Sequence, residues 1–415
     1  MKNRLSVFYP KYRLLLLILI IILFVIVFWP TLRSIKLQYF DYNVFWTAAN
    51  KTLHQENPYV DNWFLYPPWV IPIGMPFSFL AFDLSRLLWY LLEVGLVLFA
   101  CARIWVYYNG SPRYLWLAWV VGISFSPAIF ALIWGQLSPF VITGVILFLE
   151  NIEPGPGQSL GNAKELVKQS FATKIGPGDA SVATLHRKDM LKREANLILA
   201  GLCTYLIALK PQSLYLFWLA FLFWSWMKRE WKAFGISLLS LIAATFFVSL
   251  FVPDILSQYI LSFNTRLPSE FGTPTLGYWL RILFGEQFTV LQFVPPLVGV
   301  VWFGLYWMRK KNSWQWAQEM PMLAFASLLT TPHGWTHDYL ILAVGILPVF
   351  AALASLHSKR RLILALAAWL IFNAVVILLH FQLSDFWFVW QIPFLLLFVT
   401  WGRLRFQSNQ NLSLI

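Results

Sequence analysis

Long apolar runs separated by short polar connections organise this chain. They lie at 14–30, 86–107, 114–134, 137–150, 195–209, 211–227, 233–252, 288–308, 317–331, 338–356, 362–380 and 386–402. A helix that crosses a bilayer takes about 20 apolar residues, so the pattern predicts a polytopic, all-α membrane protein with about twelve spans. Several runs fall short of that length, and their boundaries are expected to extend or their helices to be broken. Residues 67–80 are also apolar, but Pro67, Pro68, Pro72 and Pro76 argue against a regular spanning helix. This segment is expected to be re-entrant or interfacial, where irregular backbone can line a cavity. A second such piece is expected at 275–286. Phe40, Val44, Phe45, Ala48 and Ala49 would form one apolar stripe, which predicts a helix lying on the membrane surface.

Basic residues orient the spans. Lys2, Arg4, Lys11 and Arg13 precede the first run, whose bulky end, Phe28-Trp29-Pro30, does not resemble a signal-peptide cleavage site. It reads as an uncleaved span with its N-terminus in the cytoplasm. Further clusters stand at Arg103 with Arg113, 164–193, 227–232, 309–311, 357–361 and 403–405. Placing each inside puts both termini in the cytoplasm and makes 31–82 the first outer loop. Residues 151–194, rich in Gly, Pro and charge, read as a flexible cytoplasmic loop within one membrane domain spanning 1–415.

Composition agrees. Hydrophobic residues make up 59% of the chain and charged residues only 12%, outside the range of soluble domains. The formal charge of +13 is dispersed over short loops, so the positive-inside bias explains it without a nucleic-acid partner. Cys101 and Cys203 both lie within apolar runs and offer no disulfide framework.

Four polar constellations fall at outer ends of apolar runs: Asp41, Gly135-Gln136, Lys210-Pro211-Gln212, and Thr331-Pro-His-Gly-Trp-Thr-His-Asp338. Ionisable groups at membrane depth are costly, and a shared cavity accounts for four of them on one face. Simpler roles compete at each. Asp41 can cap a helix, Lys210 can snorkel, and Gln136 can satisfy backbone at a helix break. His333 and His337 have the spacing of a metal pair, but Gly334 between them and the lack of nearby ligands argue against a metal.

Taken in order, these residues resemble the GT-C glycosyltransferases. Asp41 with Phe45-Trp46 and Ala48-Ala49, Asn57-Pro-Tyr59 and Tyr66-Pro-Pro68 resemble their opening segment. Gly135-Gln136, Lys210-Pro211 and the 331–338 stretch are similar to later motifs of glycosyltransferase family 87, which uses polyprenyl-phosphate-linked mannose. The resemblance covers roughly 40–340, with Gly334 replacing a serine and Asp338 a second histidine. It implies a GT-C-like fold and transfer of a hexose, expected to be mannose, to a glycolipid or glycan acceptor on the extracytoplasmic face.

For that reaction Asp41 is the expected base, acting with inversion. Lys210, His337 and His333 are expected at the donor phosphate, and Tyr66, Gln136, Gln212, Trp335 and Asp338 at the sugar or acceptor. No cofactor is expected. The first outer loop lacks an Asp-x-Asp pair, which speaks against a nucleotide-sugar donor held by a metal. A multi-span transporter or lipid flippase is the alternative. It would place polar groups near the midplane between structural repeats, and no repeat is evident here. A structural or polymerase-type subunit is a third reading, under which Asp41 would be dispensable.

Overall fold

The computed structural model describes residues 41–60, 63–153, 155, 180–265, 271–356 and 358–412. The first span expected at 14–30, the N-terminus, Phe40 and most of the 151–194 loop lie outside the described residues.

The described chain is all-helical, with no strand. Six helical stretches are long and apolar enough to cross a membrane, and a seventh does so if one bent pair counts as a single span. The helices at Ser138–Ile152, Ala180–Ile207, Tyr215–Lys228 and Trp316–Thr330 coincide with expected runs without meeting that test on length and composition. The helix at Ala180–Ile207 starts well before the run at 195, so the end of the expected loop is helical.

Exposure separates the centre of the bundle from its lipid-facing rim. The stretch Thr336–Ser355 is buried over 83% of its most apolar window, against 17% for Trp231–Ser249 and Arg360–His380. Leu239, Phe246, Ile363, Ile371 and Leu378 project outward from the two rim helices. Apolar surface this extensive needs a hydrocarbon solvent.

Helix α1 (Asp41–Leu53) packs on the short α2 (Ile71–Ser78), which follows a 3-10 turn at Pro68–Val70. The stripe expected to lie on the membrane is instead buried within the protein: Phe45, Ala48 and Ala49 are each less than 5% exposed. Gly74 makes the contact possible, because even a methyl there would stand 3.2 Å from Ala49 Cβ and from the Phe45 carbonyl. The proline-rich segment and 276–284 form short helices.

Helix α3 (Phe82–Tyr107) is followed by α4 (Leu115–Ile123) and α5 (Ser126–Trp134). The expected continuous run at 114–134 is therefore broken, and its two halves bend by 62°. Pro127 opens α5, where the missing N–H leaves no bond unmade. The break is satisfied from another helix: Asn373 Oδ1 accepts from the Ser126 N–H at 2.7 Å, and Trp369 Nε1 donates to the Val121 carbonyl at 3.2 Å. Broken backbone at membrane depth persists only where such partners exist.

Helix α6 (Ser138–Ile152) packs along α7 (Ala180–Ile207) and α3. The chain continues through α8 (Tyr215–Lys228), α9 (Trp231–Ser249), α10 (Ile255–Thr265), α11 (Leu276–Phe284), α12 (Val294–Lys310) and α13 (Trp316–Thr330). A 3-10 turn at Thr336–Leu342 leads into α14 (Ala343–Ser355), then α15 (Lys359–His380), a 3-10 turn at Asp385–Trp390, and α16 (Gln391–Leu412).

Gly135, between α5 and α6, carries two constraints at once. Its φ of +71° is left-handed, and an added Cβ would lie 2.6 Å from Tyr42 Cβ. Gly135→Ala is therefore expected to lower the melting temperature of the detergent-solubilised protein measurably. Gly95→Ala and Gly235→Ala, helical positions with open space around them, should leave it equal or slightly higher. Equal melting temperatures for all three variants would contradict the packing described.

Candidate active site

Connections between helices supply the polar groups of one cluster. The left-handed Gly135 closes α5, its N–H bonding to the Ala131 carbonyl, and brings the chain against the first turn of α1. Gln136 thereby meets Asp41. Beyond α7, Lys210 leads into a 3-10 turn at Pro211–Leu214. The segment before it is held by Trp69, whose Nε1 donates to the Ala208 carbonyl at 2.8 Å.

Lys210 is only 1% exposed, and its ammonium donates to Gln136 Oε1 and to Asp338 Oδ1, both at 2.6 Å. An ammonium has no acceptor, so the Gln136 carbonyl must face it and the amide must face away. That amide donates to Asp41 Oδ2. Tyr66 also bonds to the Gln136 side chain. The result is a continuous chain, Asp41–Gln136–Lys210–Asp338, built from residues far apart in sequence.

Asp338 is itself fully ligated. Its Oδ1 also accepts from Ser138 Oγ at 3.0 Å, and its Oδ2 accepts from the Trp335 N–H at 3.0 Å, closing the start of the 3-10 turn. A buried ion pair persists only when its remaining lone pairs are met in this way.

Beside the chain lies a cavity of about 160 Å³. Phe130, Trp134 and Trp335 supply aromatic walls, while Asp41 and His337 bring ionisable groups to it. His337 Nε2 is buried 3.8 Å from Asp338 Oδ1 and has no hydrogen-bond partner among the described residues. Trp335 stacks on the His337 ring at 6.4 Å between centroids.

The structure brings together Asp41, Tyr66, Gln136, Lys210, Asp338, His337 and Trp335 from the residues singled out in the sequence. It separates two others. His333 turns toward Phe271 and Trp335, with ring centroids 6.0 and 5.9 Å away, and is not on the cavity wall. Gln212 offers its carbonyl to Thr331 Oγ1 at 3.1 Å and is likewise not on that wall. Two ionisable cavity residues escaped the sequence reading: His380, ending α15, and Asp385, opening the next turn. Both stand at ends of apolar runs, the same signal that marks the other four constellations.

Burial pushes the Asp41 carboxyl up to about 7, against the downward pull of Lys210 and with a smaller upward push from Asp338. A carboxyl in that range is matched to taking a proton near neutral pH.

Residues 64–159 match glycosyltransferase family 87. No curated protein and no solved structure matches the chain. The matched stretch includes Tyr66, Gln136 and Ser138 but stops short of Asp41 on one side and Lys210 and Asp338 on the other. The likeness supports a glycosyltransferase of the GT-C type, and it falls on an all-helical polytopic membrane protein.

Removing one partner of the central pair tests its weight. Lys210→Met should destabilise the protein by about 3–5 kcal/mol, because Asp338 stays buried without its counter-charge. Adding Asp338→Asn should recover part of that loss. Unfolding in detergent, followed for both variants, reads the effect, and a single variant as stable as the wild type would contradict it.

Proposed function

We propose that this protein transfers a hexose, expected to be mannose, from a polyprenyl-phosphate-linked donor to a glycolipid or glycan acceptor. The reaction inverts the anomeric centre and takes place on the extracytoplasmic face of the membrane. The observation that carries the reading is Asp41: a carboxylate raised toward neutrality, on the wall of an aromatic-lined cavity and held by Gln136.

In the proposed reaction the acceptor hydroxyl attacks the anomeric carbon as Asp41 takes its proton. The bond from that carbon to the phosphate oxygen breaks on the opposite side, and the electron pair leaves with the polyprenyl phosphate. Phosphate is already a good leaving group, so charge stabilisation matters more than a general acid. His337 is assigned to the phosphate directly, since its Nε2 is unpartnered and the ring lines the cavity. Lys210 acts at one remove, its ammonium fixed behind Gln136 and Asp338. Trp335 offers a face for the sugar, and Tyr66 with Gln136 sets the orientation of Asp41. The donor class and the sugar rest on the family likeness. The outward orientation rests on the distribution of basic loops.

Asp41→Asn keeps an oxygen for the Gln136 amide but loses the base. Transfer from a polyprenyl-phosphate hexose should fall about a hundredfold or more while the protein stays folded. In the wild type the base works deprotonated, so the rate should climb as pH rises through about 7 and then level off. The residual rate of the variant should lack that step. A well-folded Asp41→Asn protein with near wild-type turnover would remove Asp41 from the role.

Orientation is tested separately. A thiol introduced by Asn57→Cys should react with an impermeant reagent in intact cells, and one from Asn312→Cys only after permeabilisation. The reverse pattern would place the cavity on the cytoplasmic side.

A further inference from the structure

The proposed reaction uses one side of the cavity and leaves two ionisable residues of its wall without a role. His380 ends α15 with its ring stacked on Phe130, centroids 4.0 Å apart and planes 29° from parallel. Its Nδ1 is buried with no hydrogen-bond partner among the described residues, and Asp385 Oδ1 stands 3.6 Å away. Asp385 is held in turn by Thr336, whose N–H donates to Oδ2 at 3.2 Å and whose hydroxyl donates to Oδ1. The carboxylate thus has a fixed position, and the imidazole is pinned between it and an aromatic face.

This arrangement sets the direction of the ring. With the Asp385 carboxylate 3.6 Å from Nδ1, the tautomer protonated at Nδ1 is the electrostatically favoured one, and it leaves Nε2 as an acceptor. Since His380 lines the cavity, a ligand seated there meets its imidazole. Asp41 is already assigned to the acceptor hydroxyl and His337 to the phosphate. The ring hydroxyls of the donor sugar are the remaining hydrogen-bond donors the cavity must meet.

We propose that His380, aimed by Asp385, accepts a hydrogen bond from one ring hydroxyl of the donor hexose and so sets the preference for that sugar. The inference rests on the functional reading above. His380 is a specificity residue that touches the sugar, and Asp385 is a positioning residue that acts through it.

The test uses the purified full-length protein in detergent with polyprenyl-phosphate mannose and a set of its monodeoxy analogues. The wild type should lose roughly ten- to a hundredfold in kcat/KM on one analogue, the one lacking the hydroxyl that His380 meets. His380→Phe keeps the stack on Phe130 but removes both nitrogens. It should use the parent donor less well, mainly through KM, and no longer distinguish it from that analogue. Asp385→Asn should weaken discrimination at the same hydroxyl and at no other. A His380→Phe enzyme that discriminates among the analogues as the wild type does would overturn the proposal. So would an equal fall in kcat on every donor together with loss of the pH step, which would make His380 the base. Unaltered use of donors with loss of discrimination among deoxy acceptors would assign the residue to the acceptor and overturn it too. A wild type that uses no polyprenyl-phosphate hexose would refute the functional reading itself, and this inference with it.

Discussion

The buried ion pair between Lys210 and Asp338 is the contact on which the rest of the site depends. Each charge alone would be too costly at this depth. Together, with Gln136, Ser138 and the Trp335 N–H meeting their remaining hydrogen-bonding capacity, they are tolerable. The pair ties the end of α7 to the turn ahead of α14, the most enclosed of the candidate spans. Through Gln136 it also governs Asp41, because an ammonium on one side of the amide dictates which end of it faces the carboxylate. The orientation of the proposed base therefore follows from a charge more than a hundred and fifty residues further along the chain.

A second constraint comes from the solvent. Helices in lipid satisfy their own backbone, so polar chemistry collects where helices end or break. Here the α5–α6, α7–α8, α13–α14 and α15–α16 connections each contribute to one neighbourhood. Aromatic rings fill the space between them, with Phe130 from α5 and Trp335 from the turn before α14 on the cavity wall. Such a cavity, apolar in its walls and furnished with a few aimed polar groups, suits a ligand with both a ring face and hydroxyls.

The sequence revealed much of this, through one kind of signal. Polar residues at the ends of apolar runs pointed to Asp41, Gln136, Lys210 and Asp338, and the structure gathers all four. It did not reveal their pairing. Lys210 and Asp338 are 128 positions apart, and no local pattern distinguishes an ion pair from two independent contacts with a ligand. His380 and Asp385 carried the same signal but sat in a short connection without the Gly or Pro found in the constellations at 135–136, 210–212 and 331–338. The stripe on α1 was correctly apolar, but its periodicity shows only that one face is buried. Gly74 across the contact, thirty residues on, decides that protein and not lipid covers it. The bend within 114–134 was not foreseen, and its rescue by Asn373 depends on a helix far along the chain.

Where the sugar comes from is the central question. The most direct measurement is transfer by the purified protein in proteoliposomes, with radiolabel placed either on polyprenyl-phosphate mannose or on a nucleotide-linked mannose, and a glycolipid extract as acceptor. Label should move from the lipid-linked donor alone, and the new glycosidic bond should have the opposite anomeric configuration. Transfer from the nucleotide-linked sugar, retention of configuration, or no transfer from any lipid-linked hexose would contradict the proposed reaction.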